Sequence, residues 1–255
     1  LLITTGIYTS SMNEYVKIGY FVKKNFINNE LLKKTLSEIE LIKHNKDVDL
    51  YYDQKGLLRR LERIYDKGES LKKIDKKAKD LLREVFGFDF VIFKDKFNSK
   101  PKGGEGYYAH YDGIFKFVDQ QNKIKNGWYE YGQTFVNILI SFDTIDDSNG
   151  ALEIGNVQDK TFDELFLDTK KDGTPNLLPE KEKKFDFKII NLNPGDALIF
   201  DHRCPHRSKK NNSLKSRKAL YYTYSPSKFG SKYEKYFNDK KNSKNSTSKS
   251  LTGDL

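Results

Sequence analysis

The stretch Leu192-Asn193-Pro194-Gly195-Asp196-Ala197-Leu198-Ile199-Phe200-Asp201-His202-Arg203-Cys204-Pro205-His206-Arg207-Ser208 decides the fold class. Asn193-Pro194-Gly195 is a turn signal, because proline presets one backbone angle and glycine tolerates a positive one. Residues 197–200 form an apolar run of strand length, short enough for a strand buried on both faces. Directly after it comes a polar segment with two histidines, so a chemically equipped loop hangs from a buried strand.

Similar strand-like runs occur at residues 88–97, 106–110, 133–142, 151–154, 185–191 and 218–224. Turn signals separate them, among them Pro101 with Gly103 and Gly104, and Ser148-Asn149-Gly150. The earlier part of the chain has a different texture. Leu32, Leu36 and Ile39, flanked by Leu31 and Ile42, predict a helix over residues 28–43 with Asn28 or Asn29 as N-cap. Further helices are expected over residues 55–65 and over 71–86, the latter closed by Gly87. Helices first and short strands afterwards point to a mainly β (α+β) molecule, an antiparallel barrel or sandwich with helices outside it.

One domain is expected over residues 12–239. Met12 is the only methionine, so residues 1–11 are expected to precede the natural start or to have been appended. The polar, proline-containing segment 159–184 reads as an insertion, either a lid or a solvated loop. Residues 240–255, rich in serine, asparagine and lysine, are expected to be a disordered tail.

Aromatic residues make up 14% of the chain, enough to build a core although apolar residues total only 36%. The net charge of +10 raises the question of nucleic acid. Its lysines are spread along the chain among acidic residues, with no nucleic-acid-binding motif beside them, so nucleic acid is not the expected partner; small anionic substrates remain compatible. The single cysteine, Cys204, excludes a disulfide framework and a cysteine-rich zinc site and fits a reducing, cytoplasmic setting. No apolar run approaches the ~20 residues that span a bilayer, and residues 1–11 lack the layout of a signal peptide. The oligomeric state is not legible.

Four histidines are present. His44 falls at a polar helix end. In Tyr107-Tyr108-Ala109-His110-Tyr111-Asp112, the histidine and the carboxylate are two apart, a spacing that puts both on one face of a strand. A third ligand, either His202 or His206, would complete two nitrogens and one carboxylate. That set is the facial triad of non-haem iron(II) sites, and it also suits zinc. Arg217, eleven residues after His206 at the start of a strand, is a candidate for paired hydrogen bonds to a carboxylate.

In this order and spacing the chain resembles the phytanoyl-CoA dioxygenase family of iron(II)/2-oxoglutarate oxygenases, over roughly residues 15–239. The resemblance is carried by Phe93-Lys94-Asp95-Lys96-Phe97-Asn98-Ser99-Lys100-Pro101 and the His110-x-Asp112 motif. It continues through Ser141-Phe142-Asp143-Thr144, Asn149-Gly150-Ala151-Leu152-Glu153 and Gly195-Asp196 to His206-x-Ser208 and Arg217. Gly155-Asn156-Val157 departs from the family's usual turn.

The resemblance implies a double-stranded β-helix (jelly roll) with iron(II) held by His110, Asp112 and His206. It implies that Arg217 and Ser208 bind the far carboxylate of the cosubstrate 2-oxoglutarate, with Asn98 near it and Lys96, on the same strand face, a further cosubstrate-binding candidate. His202 would be left to line the site or face solvent. The implied reaction consumes O2 and 2-oxoglutarate, hydroxylates a small molecule and releases succinate and CO2. A bacterial branch containing aminophosphonate hydroxylases is the nearest in texture, which favours a small polar or anionic substrate. Lys96, Arg59 and Arg60 are candidates to meet an anion, although a helix-surface role is the expected one for the two arginines; Tyr108 is a candidate pocket wall. The rivals are a non-catalytic or zinc-binding jelly roll, and a nucleic-acid-acting oxygenase of the same chemistry. The latter would call for a second arginine soon after Arg217, which residues 219–224 do not supply.

Overall fold

The structure is a computed structural model that describes residues 10–53 and 55–242. Thirteen strands are present among the described residues. They are β1 (Tyr20–Lys23), β2 (Asp49–Tyr52), β3 (Leu58–Glu62), β4 (Phe90–Lys100), β5 (Tyr107–His110), β6 (Phe117–Val118), β7 (Ile124–Lys125), β8 (Val136–Ser141), β9 (Leu152–Ile154), β10 (Lys188–Ile189), β11 (Ala197–Asp201), β12 (His206–Ser208) and β13 (Arg217–Pro226). Six α-helices accompany them: α1 (Ser10–Ile18), α2 (Asn29–Ile42), α3 (Glu69–Phe86), α4 (Phe162–Phe166), α5 (Pro179–Glu182) and α6 (Tyr233–Asn242).

A seven-stranded sheet runs β1-β11-β8-β13-β4-β3-β2, and a four-stranded sheet runs β10-β9-β12-β5. All neighbouring strands pair antiparallel. The two sheets pack face to face: Leu139, Leu198, Phe200 and Ala219 of the large sheet share one buried cluster with Leu152 and Ile154 of the small one. This is the jelly roll, mostly β with helices outside, that the sequence resemblance implied.

Side chains alternate across each strand, so the large sheet has two chemically distinct faces. The outer face presents Leu61, Phe97, Leu220, Ile138, Ile140 and Ile199 to α2 and α3. Those helices form because their apolar residues recur at three and four: Leu71, Ile74, Ala78, Leu81, Leu82 and Val85 make one buried stripe on α3. Gly87 ends α3 at φ 77°, and the Asn28 side chain caps α2 by accepting from the Leu31 amide at 2.9 Å. Tyr222 and Tyr224 donate to the Leu71 carbonyl and to Asp75, which pins α3 to the sheet.

Residues 58–62 form strand β3, not part of the helix expected over 55–65. Leu58, Leu61 and Ile64 suit a helical stripe, but a tight turn at Gly56 (φ 75°) starts a hairpin instead. In that turn Asp53 accepts from the Lys55 and Leu57 amides. β3 then pairs with both β2 and β4. Its backbone gains ladder partners on two sides, and that non-local pairing overrides the local pattern. β4 extends to Lys100, further than expected, because β13 faces it along its whole length.

Segment 159–184 is more than a solvated loop. Phe162, Leu165 and Leu177 pack with Ala109, Tyr111 and Ile114 in a third cluster, and Leu177 donates to the Ala109 carbonyl at 2.7 Å. Helix α6 includes Lys240, Lys241 and Asn242, which were expected to belong to a disordered tail; residues 243–255 of that expectation lie outside the described residues, as do residues 1–9. No helix among the described residues is long and apolar enough to cross a membrane.

Candidate metal and cosubstrate site

The inner face of the large sheet carries polar groups along β4 and β13, beside the apolar patch of Leu139, Leu198, Phe200 and Ala219. Register places Lys100 opposite Arg217, Asn98 opposite Ala219, Lys96 opposite Tyr221 and Lys94 opposite Thr223. Tyr221 and Thr223 in turn face Leu139 and Asn137 of β8. Across the barrel, β12 and β5 present His206, Ser208 and His110.

His110 and His206 are directly paired residues, with ring centroids 4.2 Å apart. Asp112 lies just beyond the end of β5, in the bend that follows, and not on the strand as the two-residue spacing suggested. Its amide donates to the His202 carbonyl at 3.1 Å, and Gly113 next to it adopts φ 77°. A Cβ there would sit 2.5 Å from the Trp128 ring, so only glycine lets the chain turn at this point. One ligand atom from each of His110, Asp112 and His206 lies within 4.8 Å of the other two.

Hydrogen bonds hold each group in its binding-competent form. His110 Nδ1 is 2.7 Å from the Tyr108 carbonyl and His206 Nδ1 is 3.0 Å from the Cys204 carbonyl. A carbonyl only accepts, so each Nδ1 carries the proton and each neutral ring keeps a lone pair on Nε2. Those Nε2 atoms lie 4.0 and 3.7 Å from the Asp112 carboxylate. Burial, helped by the neighbouring His206, pushes the His110 pKa down to about 3; burial also lowers that of His206. Burial alone would raise the Asp112 carboxyl, but His206, His110 and Lys96 outweigh it and hold the group below its usual range. Asn137 donates to Asp112 Oδ2 at 3.0 Å, and Thr223 donates to Asn137 Oδ1 at 2.7 Å, so two strands orient the carboxylate. Two neutral nitrogens and one carboxylate, this close and fixed from behind, fit a single divalent ion.

A second group lies at the far end of β4. Arg217 is 5% exposed and Lys100 only 3%, and they are direct cross-strand partners. Like charges opposite each other destabilise a sheet unless an anion joins them. Arg217 donates to the Gly150 carbonyl, while its Nε has no partner; the Asn98 Oδ1 is likewise buried and unpartnered. Lys100 donates to Ser208 Oγ at 2.9 Å and to the Lys209 carbonyl. Arg217, Ser208 and Asn98, singled out in the sequence, are thus brought together.

Lys100 was missed in the sequence, although its position four residues after Lys96 on the same strand face was a usable signal. Lys96 lies closer to the triad. It shares a small cavity with Asp112, His206, Lys94, Asn137, Trp128, Tyr221 and Thr223, and burial, then the neighbouring Lys94, pushes its pKa down to about 7.

Three expectations need correction. Tyr108 is 51% exposed, with the Lys170 ammonium 5.4 Å from its ring, so its side chain is no pocket wall. The cause is a register shift between β12 and β5. His206 pairs with His110 but Ser208 pairs with Tyr107, so a bulge on β5 swaps the faces of the two tyrosines. Tyr107 therefore shares the His110 face, and Lys100 Nζ is 5.9 Å from its ring. His202 neither lines the site nor faces solvent. It is 0% exposed, between the Phe135 backbone, Asp201 and the Tyr129 hydroxyl. Arg59 and Arg60 stand on strand β3, not on a helix.

A jelly roll carrying two histidines and one carboxylate beside a buried arginine has the ligand set of a facial-triad metal site. The model of the phytanoyl-CoA dioxygenase family matches residues 15–219, and the chain belongs to that family. It is 30% identical over 164 residues to a 2-aminoethylphosphonate dioxygenase of an uncultured bacterium (HF130_AEPn_1), covering 63% of this chain and 55% of that protein. It is 28% identical over 167 residues to a methylphosphonate hydroxylase of Gimesia maris, covering 66% and 57%. The chain thus spans little more than half the length of these relatives. Among solved structures, EctD from S. alaskensis with bound Fe superposes with TM-score 0.67 at 16% identity, over 89% of this chain and 80% of EctD. The epimerase SnoN in complex with Fe3+, alpha ketoglutarate and nogalamycin RO gives 0.64 at 12%, over 85% and 82%. At such identities the likeness concerns the fold.

Proposed function

We propose that this protein is an iron(II)- and 2-oxoglutarate-dependent oxygenase that hydroxylates a small polar or anionic molecule. The observation that carries the reading is the pairing of two neutral imidazoles and one carboxylate, His110, His206 and Asp112, with the buried Lys100–Arg217 cross-strand pair on the same inner surface. His110, Asp112 and His206 would hold the metal. Arg217, with its unpartnered Nε, would take the far carboxylate of 2-oxoglutarate, with Ser208 and Lys100 completing the seat and Asn98 beside it.

Bound iron with 2-oxoglutarate and O2 supplies the oxidation, one oxygen atom going to the substrate and one to succinate as CO2 leaves. The protein's own part is positioning. Burial keeps both imidazoles neutral, the carbonyls of Tyr108 and Cys204 fix their tautomer and aim, and Asn137 and Thr223 hold the carboxylate. No side chain has to act as a general base. The names of the two phosphonate-acting relatives support an anionic substrate and make phosphonates the first compounds to test.

Anaerobic titration of metal-free protein with iron(II) and 2-oxoglutarate tests the proposal through the weak visible charge-transfer band of the chelate. The band should saturate near one equivalent and vanish in His110→Ala. A wild type without the band would leave a zinc-binding or non-catalytic jelly roll as the better account, and metal analysis would choose between them.

A further inference from the structure

Segment 159–184 packs outside the small sheet, but it also brings one side chain to the metal cluster. Residues 168–178 run as a hairpin along the edge of β5 that β12 leaves open. The Lys170 and Leu178 amides donate across the hairpin to the Asn176 and Asp168 carbonyls, at 2.7 and 2.9 Å, and the Leu177 amide donates to Ala109 of β5. Thr169 bridges Leu177 within the hairpin, and Asn176 bridges His110.

This pairing fixes the direction of the Asn176 side chain. Directly opposed residues of an antiparallel pair share a face, and successive residues take opposite faces. Leu177 and Ala109 pack together in the outer cluster with Tyr111 and Ile114. Asn176 therefore turns inward beside His110, as His206 does on the other flank. Cβ atoms so opposed stand about 5 Å apart. The row across the small sheet is Ile154, His206, His110 and Asn176.

The carboxamide has no task within the fold. Asn176 is 6% exposed, and its Oδ1 is buried without a hydrogen-bond partner among the described residues. The bridge uses only the backbone, so an apolar side chain would serve the hairpin at lower cost than an orphaned acceptor. The inner surface facing it already carries donors in Lys94, Lys96, Lys100 and Arg217. What Asn176 adds beside the metal cluster is a neutral acceptor.

We propose that Asn176 is a specificity-determining residue: its Oδ1 accepts a hydrogen bond from a hydroxyl or amino group of the molecule bound beside the triad, and so selects ligands that carry a donor next to the carbon to be oxidised. That the bound molecule is oxidised rests on the oxygenase reading above; the placement of the acceptor rests on strand pairing alone. A donor is a separate demand from negative charge, because a carboxamide oxygen gives an anionic group nothing to accept.

The test is anaerobic calorimetric titration, with iron(II) and 2-oxoglutarate present, of three compounds that differ at one group: 2-hydroxyethylphosphonate, 2-aminoethylphosphonate and ethylphosphonate. Their anionic ends are identical and cancel in the comparison. Wild type should bind at least one donor-bearing compound about tenfold more tightly than ethylphosphonate, the worth of one hydrogen bond to a buried acceptor. The hydroxyl and amino arms show which donor fits. Asn176→Leu should erase the preference. Asn176→Asp has the same size and keeps the acceptor, so it should retain the preference, which separates loss of the acceptor from misfolding. Lys170→Gln, on the same hairpin with its ammonium 5.4 Å from the exposed Tyr108 ring, should behave as wild type does.

The proposal is overturned if wild type binds none of the three, if it binds ethylphosphonate as tightly as the others, or if Asn176→Leu keeps the preference. An Asn176-dependent preference without a chelate band in wild type would sink the oxygenase reading and leave the acceptor standing. A band with no such preference would do the reverse.

Discussion

The two faces of the large sheet are made from the same strands, residue by residue in alternation, yet they do opposite work. On β13, Leu220 and Tyr222 point outward into a core with α3, while Arg217, Ala219, Tyr221 and Thr223 point inward. The outer face is mainly apolar packing; its buried Asp95 accepts from the Ile64 and Tyr65 amides and the Tyr233 hydroxyl, and Tyr222 and Tyr224 donate to α3. Among the described residues, the inner face tolerates unpartnered buried atoms on Arg217 and Asn98 and cross-strand like charges. Stability is concentrated outside and cost is accepted inside, where a metal ion and anions can offset it.

That contrast can be broken most severely at the cluster. Replacing Asp112 or His110 by alanine should abolish stoichiometric iron(II) binding, read by metal analysis, while the unfolding midpoint of the metal-free protein changes little. On the outer face, Leu220→Ala should cost about 2–5 kcal/mol in denaturant unfolding, as core truncations do, and leave iron affinity intact.

Arg217→Ala should weaken 2-oxoglutarate binding by roughly 10–100-fold with iron retained, because it removes the charged side of the carboxylate seat. Equal losses of iron and 2-oxoglutarate would show that the two inner groups are not separable. Asn137→Leu should lower iron affinity by about tenfold through a misaimed Asp112, a loss of the size found when outer-shell partners are removed.

The smallest effect is expected at Glu62, whose buried carboxyl is pushed up by desolvation but held well below its usual range by Arg60, Lys240 and Lys94. A carboxylate with a depressed folded pKa adds stability above its unfolded value near 4.3, and that stability is lost as pH falls through the window below it. Glu62→Gln should therefore cost about 1–2 kcal/mol at pH 7, and its melting curve should approach that of wild type on acidification below pH 4. A gap that stays constant with pH would show that charge is not what Glu62 contributes.

Much of this architecture was legible in the sequence. The period of Leu71, Ile74, Ala78 and Leu82 can be satisfied by a helix alone, and Asn28 and Gly87 mark ends whose hydrogen bonds are local. The apolar run at Ala197–Asp201 is a strand whatever its neighbours. The donor types at His110, Asp112 and His206 limited the metal chemistry before any coordinates. What the residues alone left open was which histidine completes the set: the resemblance pointed to His206, and the fold places His206 beside His110 while burying His202 against Phe135.

Other features depended on partners distant in the chain. Residues 58–62 became a strand because β2 and β4 flank them, Tyr107 displaced Tyr108 because of one bulge against β12, and Lys100 joined Arg217 and Ser208 because register sets it against Arg217. Helical period, turn chemistry and ligand type are properties of neighbouring residues, so the sequence by itself determined them. Strand pairing, register and the face a side chain occupies arise only when remote backbone groups exchange hydrogen bonds, and those the tertiary structure alone decided.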